Sequence, residues 1–133
     1  MVTVSRDTKF VHLAWQRAER ALEKVRYPMA SDVMGEVAHL FGVIDHKSGL
    51  CQRGTYIINP EGMLLNAEIN FYNLGRSIEE ILRKIKANRY LAEKPSEGVP
   101  AQWKERGDIT LKPGPKLVGK VAEAMKKKKS SRR

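Results

Sequence analysis

Arg53-Gly54-Thr55-Tyr56-Ile57-Ile58-Asn59-Pro60-Glu61-Gly62, followed after Met63 by the run Leu64 to Phe71, is a hairpin written into the sequence. Asn at the first turn position, Pro at the second and Gly at the fourth are the residues of a type I turn, so two extended runs meet there. Tyr56-Ile57-Ile58 is apolar on both faces and predicts a central, buried strand. The second run alternates Leu65, Ala67, Ile69 and Phe71 against Asn66, Glu68 and Asn70, which predicts a strand nearer the edge with one apolar face. Arg53 opens the buried strand, where a permanent charge is costly unless it meets a carboxylate, an anion or a reaction centre. That makes Arg53 the first candidate functional residue, with pairing to a carboxylate such as Asp45 as the structural alternative.

Before the hairpin, Val2-Thr3-Val4-Ser5 is β-prone from the first codon. Asp7 or Thr8 can cap a helix whose apolar positions Phe10, Leu13, Ala14, Ala18, Ala21, Leu22 and Val25 recur at helical spacing. Pro28 stops it, and Tyr27 to Ala30 read as a brief strand. Ser31-Asp32 then caps a second helix through Val33, Val37, Leu40 and Phe41, closed by Gly42. A polar loop, Asp45 to Gly49, leads into the Arg53 strand. After the hairpin, Ser77-Ile78-Glu79-Glu80 is a capping box for a third helix reaching about Leu91. From Lys94 the chain turns rich in Pro and Gly, an extended arm whose sizeable apolar anchors before Leu117 are Trp103 and Leu111. The order strand, helix, strand, helix, hairpin, helix, arm indicates an α/β fold, a mixed sheet with helices on both faces.

A length of 133 residues suits one domain with a single core. No apolar run approaches the roughly 18 to 20 residues of a membrane span and no signal pattern opens the chain, so a cytoplasmic location is expected. The lone cysteine, Cys51, excludes an intrachain disulfide and a cysteine zinc cluster, and it reads as a small apolar filler. His12, His39 and His46 lack metal-ligand spacing, and no cofactor is implied. Trp15 reads as core. Of the net charge of +10, Lys126, Lys127, Lys128, Lys129, Arg132 and Arg133 supply six, so the basicity is mostly a tail. That tail is expected to be disordered and to bind anionic surfaces only weakly and nonspecifically.

Several of these stretches together resemble a family. Val2 to Trp15 is similar to the third-strand and helix segment of typical two-cysteine peroxiredoxins of the alkyl hydroperoxide reductase and thioredoxin peroxidase type. Tyr27-Pro28-Met29-Ala30-Ser31-Asp32, Gly49 to Ile58, Gly75-Arg76-Ser77 and Pro100-Ala101-Gln102-Trp103-Lys104 follow in the family's order and spacing. The resemblance covers roughly residues 2–121, about the C-terminal two-thirds of the family's chain. It implies an incomplete thioredoxin-like fold, divided as a partial domain over 1–94, a C-terminal arm over 95–125 and a basic tail over 126–133. It also implies reduction of hydrogen peroxide and alkyl hydroperoxides by a cysteine thiolate, an antioxidant activity.

By the same resemblance Arg53 lowers the thiolate pKa and holds a peroxide oxygen, and Arg76 supports it from the start of the last helix. Arginine suits both tasks because it cannot lose its proton. Nothing here matches the family's Pro-x-x-x-Thr-x-x-Cys loop, the resolving position before Pro100 holds Val99, and Cys51 occupies neither catalytic place. The chain is therefore expected to be a truncated form without its nucleophile, inactive alone. The resemblance further implies a homodimer or larger homo-oligomer through the sheet edge and the arm, with Trp103 seated on a partner subunit, and a thiol reductant protein in the complete form. A non-enzymatic interaction module with an anion-binding lysine tail is the alternative. The strand run at Val2 to Ser5 and that at Tyr56 to Ile58 are expected not to pair with each other.

Overall fold

The computed structural model describes residues 1–127, which form two compact units. The first comprises Met1–Tyr56 with Ala67–Arg76. It opens on β1 (Thr3–Ser5), which pairs in parallel with β2 (Met29–Ser31) in the register Thr3 to Met29, Val4 to Ala30 and Ser5 to Ser31. Parallel pairing needs a crossover, and α1 (Lys9–Ala18) supplies it. Of the two possible caps, Thr8 serves: its hydroxyl accepts from the Val11 N–H.

The helix stops sooner than its apolar spacing suggests. Glu19 leaves helical geometry at φ −101° and ψ 108°, and its carboxylate accepts from the Ala21 N–H to start a 3₁₀ turn, Arg20–Leu22. A side chain that captures a nearby backbone donor competes directly with the helix's own ladder.

The second helix, α2, is also shorter than expected, Glu36–Leu40 rather than from Val33. Asp32 still caps it, reaching forward to accept from Val37 N–H at 3.2 Å and Ala38 N–H at 2.8 Å, while Gly35 makes the intervening bend at φ 75°. Gly42 ends the helix in the left-handed conformation, as its position predicts. Asp32 is buried. Replacing it by Ala leaves two buried-side donors without an acceptor and is expected to cost about 1–3 kcal/mol in urea unfolding. Asp32→Asn, which keeps an acceptor oxygen, should recover part of that loss.

The hairpin forms as its residues predict. Strands β3 (Arg53–Ile58) and β4 (Leu64–Asn70) pair only with each other. The turn is closed by Gly62 N–H to Asn59 O at 3.0 Å and by Asn59 N–H to Met63 O at 2.9 Å. Gly62 adopts φ 83°, the left-handed residue that follows a type I turn in a bulged hairpin, where a Cβ would be strained. The Asn59 side chain adds a 2.7 Å bond from Met63 N–H.

Two expectations change here. The parallel and hairpin pairs are separate two-stranded sheets rather than one mixed sheet, so β3 is not a central strand, and β1 and β3 do not pair with each other, as expected. The alternation of β4 is inverted as well: Leu65 and Ile69 are exposed at 37% and 44%, while Asn66, Glu68 and Asn70 are half-buried. An apolar face is buried only when something packs on it, and no second layer covers this one among the described residues. The same reason leaves Trp15 exposed at 55%, against its reading as core.

The second unit comprises the hairpin tip, Ile57–Asn66, and the chain from Ser77 on. Helix α3 (Ile78–Glu93) begins at the predicted cap, where Ser77 Oγ accepts from Glu80 N–H at 3.2 Å. Asn88 Nδ2 donates to Asn66 Oδ1 at 2.9 Å and ties this helix to the hairpin tip. The arm is better anchored than its composition suggests. Gly98 and Leu111 exchange backbone bonds of 2.7 and 2.9 Å, and Trp103 is 2% exposed, packed against Tyr90 of α3 with ring centroids 5.6 Å apart and planes tilted at 45°. Within its own chain Trp103 is buried against Tyr90, and its carbonyl accepts from Arg83 Nη1 at 3.3 Å. The arm ends in α4 (Val121–Lys127), so the backbone at Lys126 and Lys127 is helical rather than part of a disordered tail. Lys128, Lys129 and the rest of that tail lie outside the described residues.

Candidate functional site

Arg53 stands at the first residue of β3, exposed, with Gly54 behind it. A Cβ on Gly54 would come within 2.7 Å of Val43 Cγ1 and 2.8 Å of the Tyr56 ring, so only glycine lets the strand start this close to the Val43 segment. Tyr56 fixes the next turn of backbone by donating to Phe41 O at 2.5 Å, and burial raises its pKa. The guanidinium of Arg53 then donates through Nε to the Tyr72 carbonyl at 2.8 Å. No carboxylate pairs with Arg53 among the described residues. The expected structural partner, Asp45, is engaged elsewhere.

Asp45 accepts from the Tyr72 hydroxyl at 2.7 Å, from Ser48 Oγ at 2.8 Å and from Lys47 N–H at 3.0 Å. The Tyr72 bond, then those from the Lys47 amide and Ser48, lower its pKa to about 2, since each stabilises the charged form. At Tyr72 the Ser48 hydroxyl favours the phenolate, yet the bond to Asp45, burial and the nearby Asp45 and Cys51 charges leave its pKa raised. Tyr72 therefore stays protonated and keeps donating. The loop after β4 is in this way pinned to the loop before β3, and the Tyr72 carbonyl is delivered to Arg53.

Because the folded pKa of Asp45 lies below the ordinary 3.8, the contribution of its carboxylate is present above pH 3.8 and is lost as pH falls through about 2. A carboxyl NMR titration should place the midpoint near 2, and Tyr72→Phe should move it up toward 3.8. An unmoved midpoint in Tyr72→Phe would show that the phenol is not its principal partner.

Arg76 immediately precedes the α3 cap residue Ser77 and is exposed, on a loop held by Asn70 Nδ2 donating to Gly75 O at 3.1 Å. The group that meets Arg53 is the Tyr72 carbonyl, four residues before Arg76. Cys51 is half-buried and bridges Ile44 in antiparallel fashion, two residues before Arg53. Tyr72 was not singled out by the sequence; the signal was there only in the pairing of a loop Asp-x-x-Ser with a tyrosine just past a strand. Among the described residues no group of three His, Cys, Asp or Glu could hold a metal ion, and no helix is long and apolar enough to cross a membrane.

A model of the AhpC/TSA family matches residues 1–67. Alkyl hydroperoxide reductase C of Staphylococcus haemolyticus is 44% identical over 119 residues, 90% of this chain and 62% of that protein. The namesake from Staphylococcus aureus strain N315 is likewise 44% identical with the same coverage. The chain thus spans 62% of the length of these curated relatives. Among solved structures, Enterococcus faecalis AhpC superposes with a TM-score of 0.70 at 39% identity, over 74% of this chain and 59% of that one. The reduced 2-Cys peroxiredoxin of Plasmodium vivax gives a TM-score of 0.80 at 26% identity, over 91% of this chain and 63% of that one. The α/β fold is therefore peroxiredoxin-like, of the thioredoxin-like type.

Proposed function

This chain belongs to the AhpC/TSA family, and from that premise we propose that it is the arginine-bearing part of a thiol peroxidase that reduces hydrogen peroxide and alkyl hydroperoxides. The observation that supports this reading most is Arg53: a cation held on one side by the Tyr72 carbonyl, with no carboxylate to neutralise it among the described residues. In the proposed chemistry a cysteine thiolate attacks one peroxide oxygen, the O–O bond breaks, sulfur is oxidised to sulfenic acid and the leaving oxygen departs as hydroxide or alkoxide. Arg53 stabilises the thiolate and the developing charge on the departing oxygen, and Arg76 reinforces the positive field from the next loop.

The thiolate itself is not supplied by the residues in hand. Cys51 is the one cysteine, and by the family pattern it stands at neither catalytic position. The chain alone is accordingly inactive in this reading, a cytoplasmic antioxidant peroxidase only when combined with a segment carrying the Pro-x-x-x-Thr-x-x-Cys loop. In that complete form it works as a homo-oligomer and is re-reduced by a thiol protein. The exposed apolar faces of α1 and β4 favour a second reading, an interaction module without catalysis.

Peroxide consumption separates the two. The purified chain is expected to show no thiol-dependent turnover, and co-expression with a peroxiredoxin N-terminal segment bearing that loop should restore it. Failure of a soluble, associated complex to consume peroxide would favour the interaction module. Turnover by the unmodified chain that vanishes in Cys51→Ser would make Cys51 the nucleophile and overturn the proposal.

A further inference from the structure

Arg53 is the first residue of β3 and Tyr72 stands two residues past the end of β4, so the hairpin brings them side by side at its open end. The bond between them runs from Arg53 Nε to the Tyr72 carbonyl at 2.8 Å. A loop carbonyl aims a guanidinium only if the loop is itself held, because every torsion left free spreads the charge over many positions. Tyr72 is held at its far end as well. Its hydroxyl donates to Asp45 Oδ2 at 2.7 Å, and Ser48 Oγ donates to the same oxygen at 2.8 Å. Lys47 N–H occupies Asp45 Oδ1 at 3.0 Å, so both carboxylate oxygens are engaged.

The loop that carries Asp45 is fixed in turn. Asp45 N–H donates to Leu50 O at 2.9 Å, and Gly49 N–H returns to Asp45 O at 2.7 Å with Gly49 in the left-handed conformation at φ 71°. From just past β1, Arg6 Nη1 donates to Gly49 O at 2.7 Å and ties this loop to the parallel pair. Asp45 and Arg53 lie on one short stretch of chain. The path from Arg53 Nε through the Tyr72 main chain and phenol to Asp45, then along residues 45–53, therefore closes into a ring within the first unit. A closed ring restricts each of its members, whereas a lone contact leaves both partners free to move together.

We propose that Asp45 and Tyr72 are positioning residues for Arg53: their bond closes the ring that aims the guanidinium and preorganises its remaining N–H groups for a thiolate and a peroxide oxygen. What Arg53 addresses rests on the peroxidase reading above; how it is aimed rests on the ring of hydrogen bonds alone. In this role neither residue touches the reacting atoms. Asp45 acts on Tyr72 and Tyr72 acts on Arg53, so each matters only while the guanidinium is there to be aimed. The link is a charge-assisted one, since near neutral pH the carboxylate is charged and the phenol keeps its proton.

The full chain tests the aim without any chemistry. Solvent exchange of the Arg53 Nε–H, read by proton–nitrogen NMR, is expected to quicken about fivefold in Tyr72→Phe and in Asp45→Ala, on the scale of one lost hydrogen bond. Far-UV spectra should be unchanged. Asp45→Asn keeps an acceptor oxygen for the phenol and should fall between Asp45→Ala and the wild type. If Asp45→Ala unfolds, Tyr72→Phe and Asp45→Asn decide. In the complex restored with a Cys-bearing segment, Tyr72→Phe should lower turnover about tenfold in the otherwise unaltered chain. In an Arg53→Lys background the same change should cost less than about twofold, because a residue that acts through the guanidinium is not independent of it. Arg53 exchange unmoved in Tyr72→Phe, or equal losses of turnover in the two backgrounds, would overturn the inference. An associated wild-type complex that consumes no peroxide would instead sink the peroxidase reading, and the exchange rates would still decide whether Asp45 and Tyr72 aim Arg53.

Discussion

Arg53→Lys is expected to lower peroxide turnover by about 10²-fold in the complex restored with an N-terminal Cys-bearing segment, on the scale of losing one preorganised charge stabiliser. The guanidinium is a fork: its Nε–H is spent on the Tyr72 carbonyl at 2.8 Å, and the remaining N–H groups stay free for the reacting atoms. An ammonium on a flexible stem can make the bond to Tyr72 or reach the reaction centre, but it cannot hold both directions at once. The loss should fall on kcat and kcat/KM together, because the charge it stabilises develops only in the transition state. Tyr72→Phe keeps the carbonyl but frees the loop from Asp45, so it should give a smaller loss than Arg53→Lys. Arg53→Lys with turnover unchanged would return Arg53 to the role of a strand-end surface residue.

The second large effect concerns the apolar surface. Among the described residues, Ala38, Val43, Ala87 and Trp103 are the buried hydrophobics, whereas large side chains such as Phe10, Trp15, Leu65 and Ile69 stand in solvent. At roughly 25 cal/mol per Å² of apolar area, a surface of this kind favours association strongly. The isolated chain should therefore bind a hydrophobic dye and self-associate with rising concentration. Substituting both Leu65 and Ile69 by Thr should change its own unfolding free energy by no more than about 0.5 kcal/mol, the usual range for exposed sites. In the restored complex the same pair should cost about 2–5 kcal/mol per residue if the added segment covers this face. Equal, small effects in both settings would mean that β4 keeps its apolar face in water even when the fold is completed. Unsaturable dye binding and a strictly monomeric chain at high concentration would count against the premise itself.

Local chemistry made much of this protein legible in advance. The turn at Asn59 to Gly62, the Thr8 and Ser77 caps and the left-handed Gly42 were all readable because each depends on a few neighbouring atoms, whereas α1 ended at Glu19, well before Pro28. Family membership was readable too, since five separate stretches keep one order and spacing along the chain. Arg53 could be singled out because a guanidinium at the head of an apolar run is costly without a purpose.

Burial was not legible, because it belongs to whatever packs on a surface and not to the residues that form it. The alternation of β4 and the stripe of α1 identify apolar faces correctly, yet only the tertiary structure shows Leu65, Ile69 and Trp15 in solvent with no layer upon them. Composition likewise hid the anchoring of the arm, for Trp103 finds Tyr90 across a helix face that no local pattern announces. The partner of Arg53 was beyond the sequence for the same reason: Tyr72 lies 27 residues from Asp45, and only the meeting of their two loops lets Asp45 clamp Tyr72, whose carbonyl then aims the guanidinium.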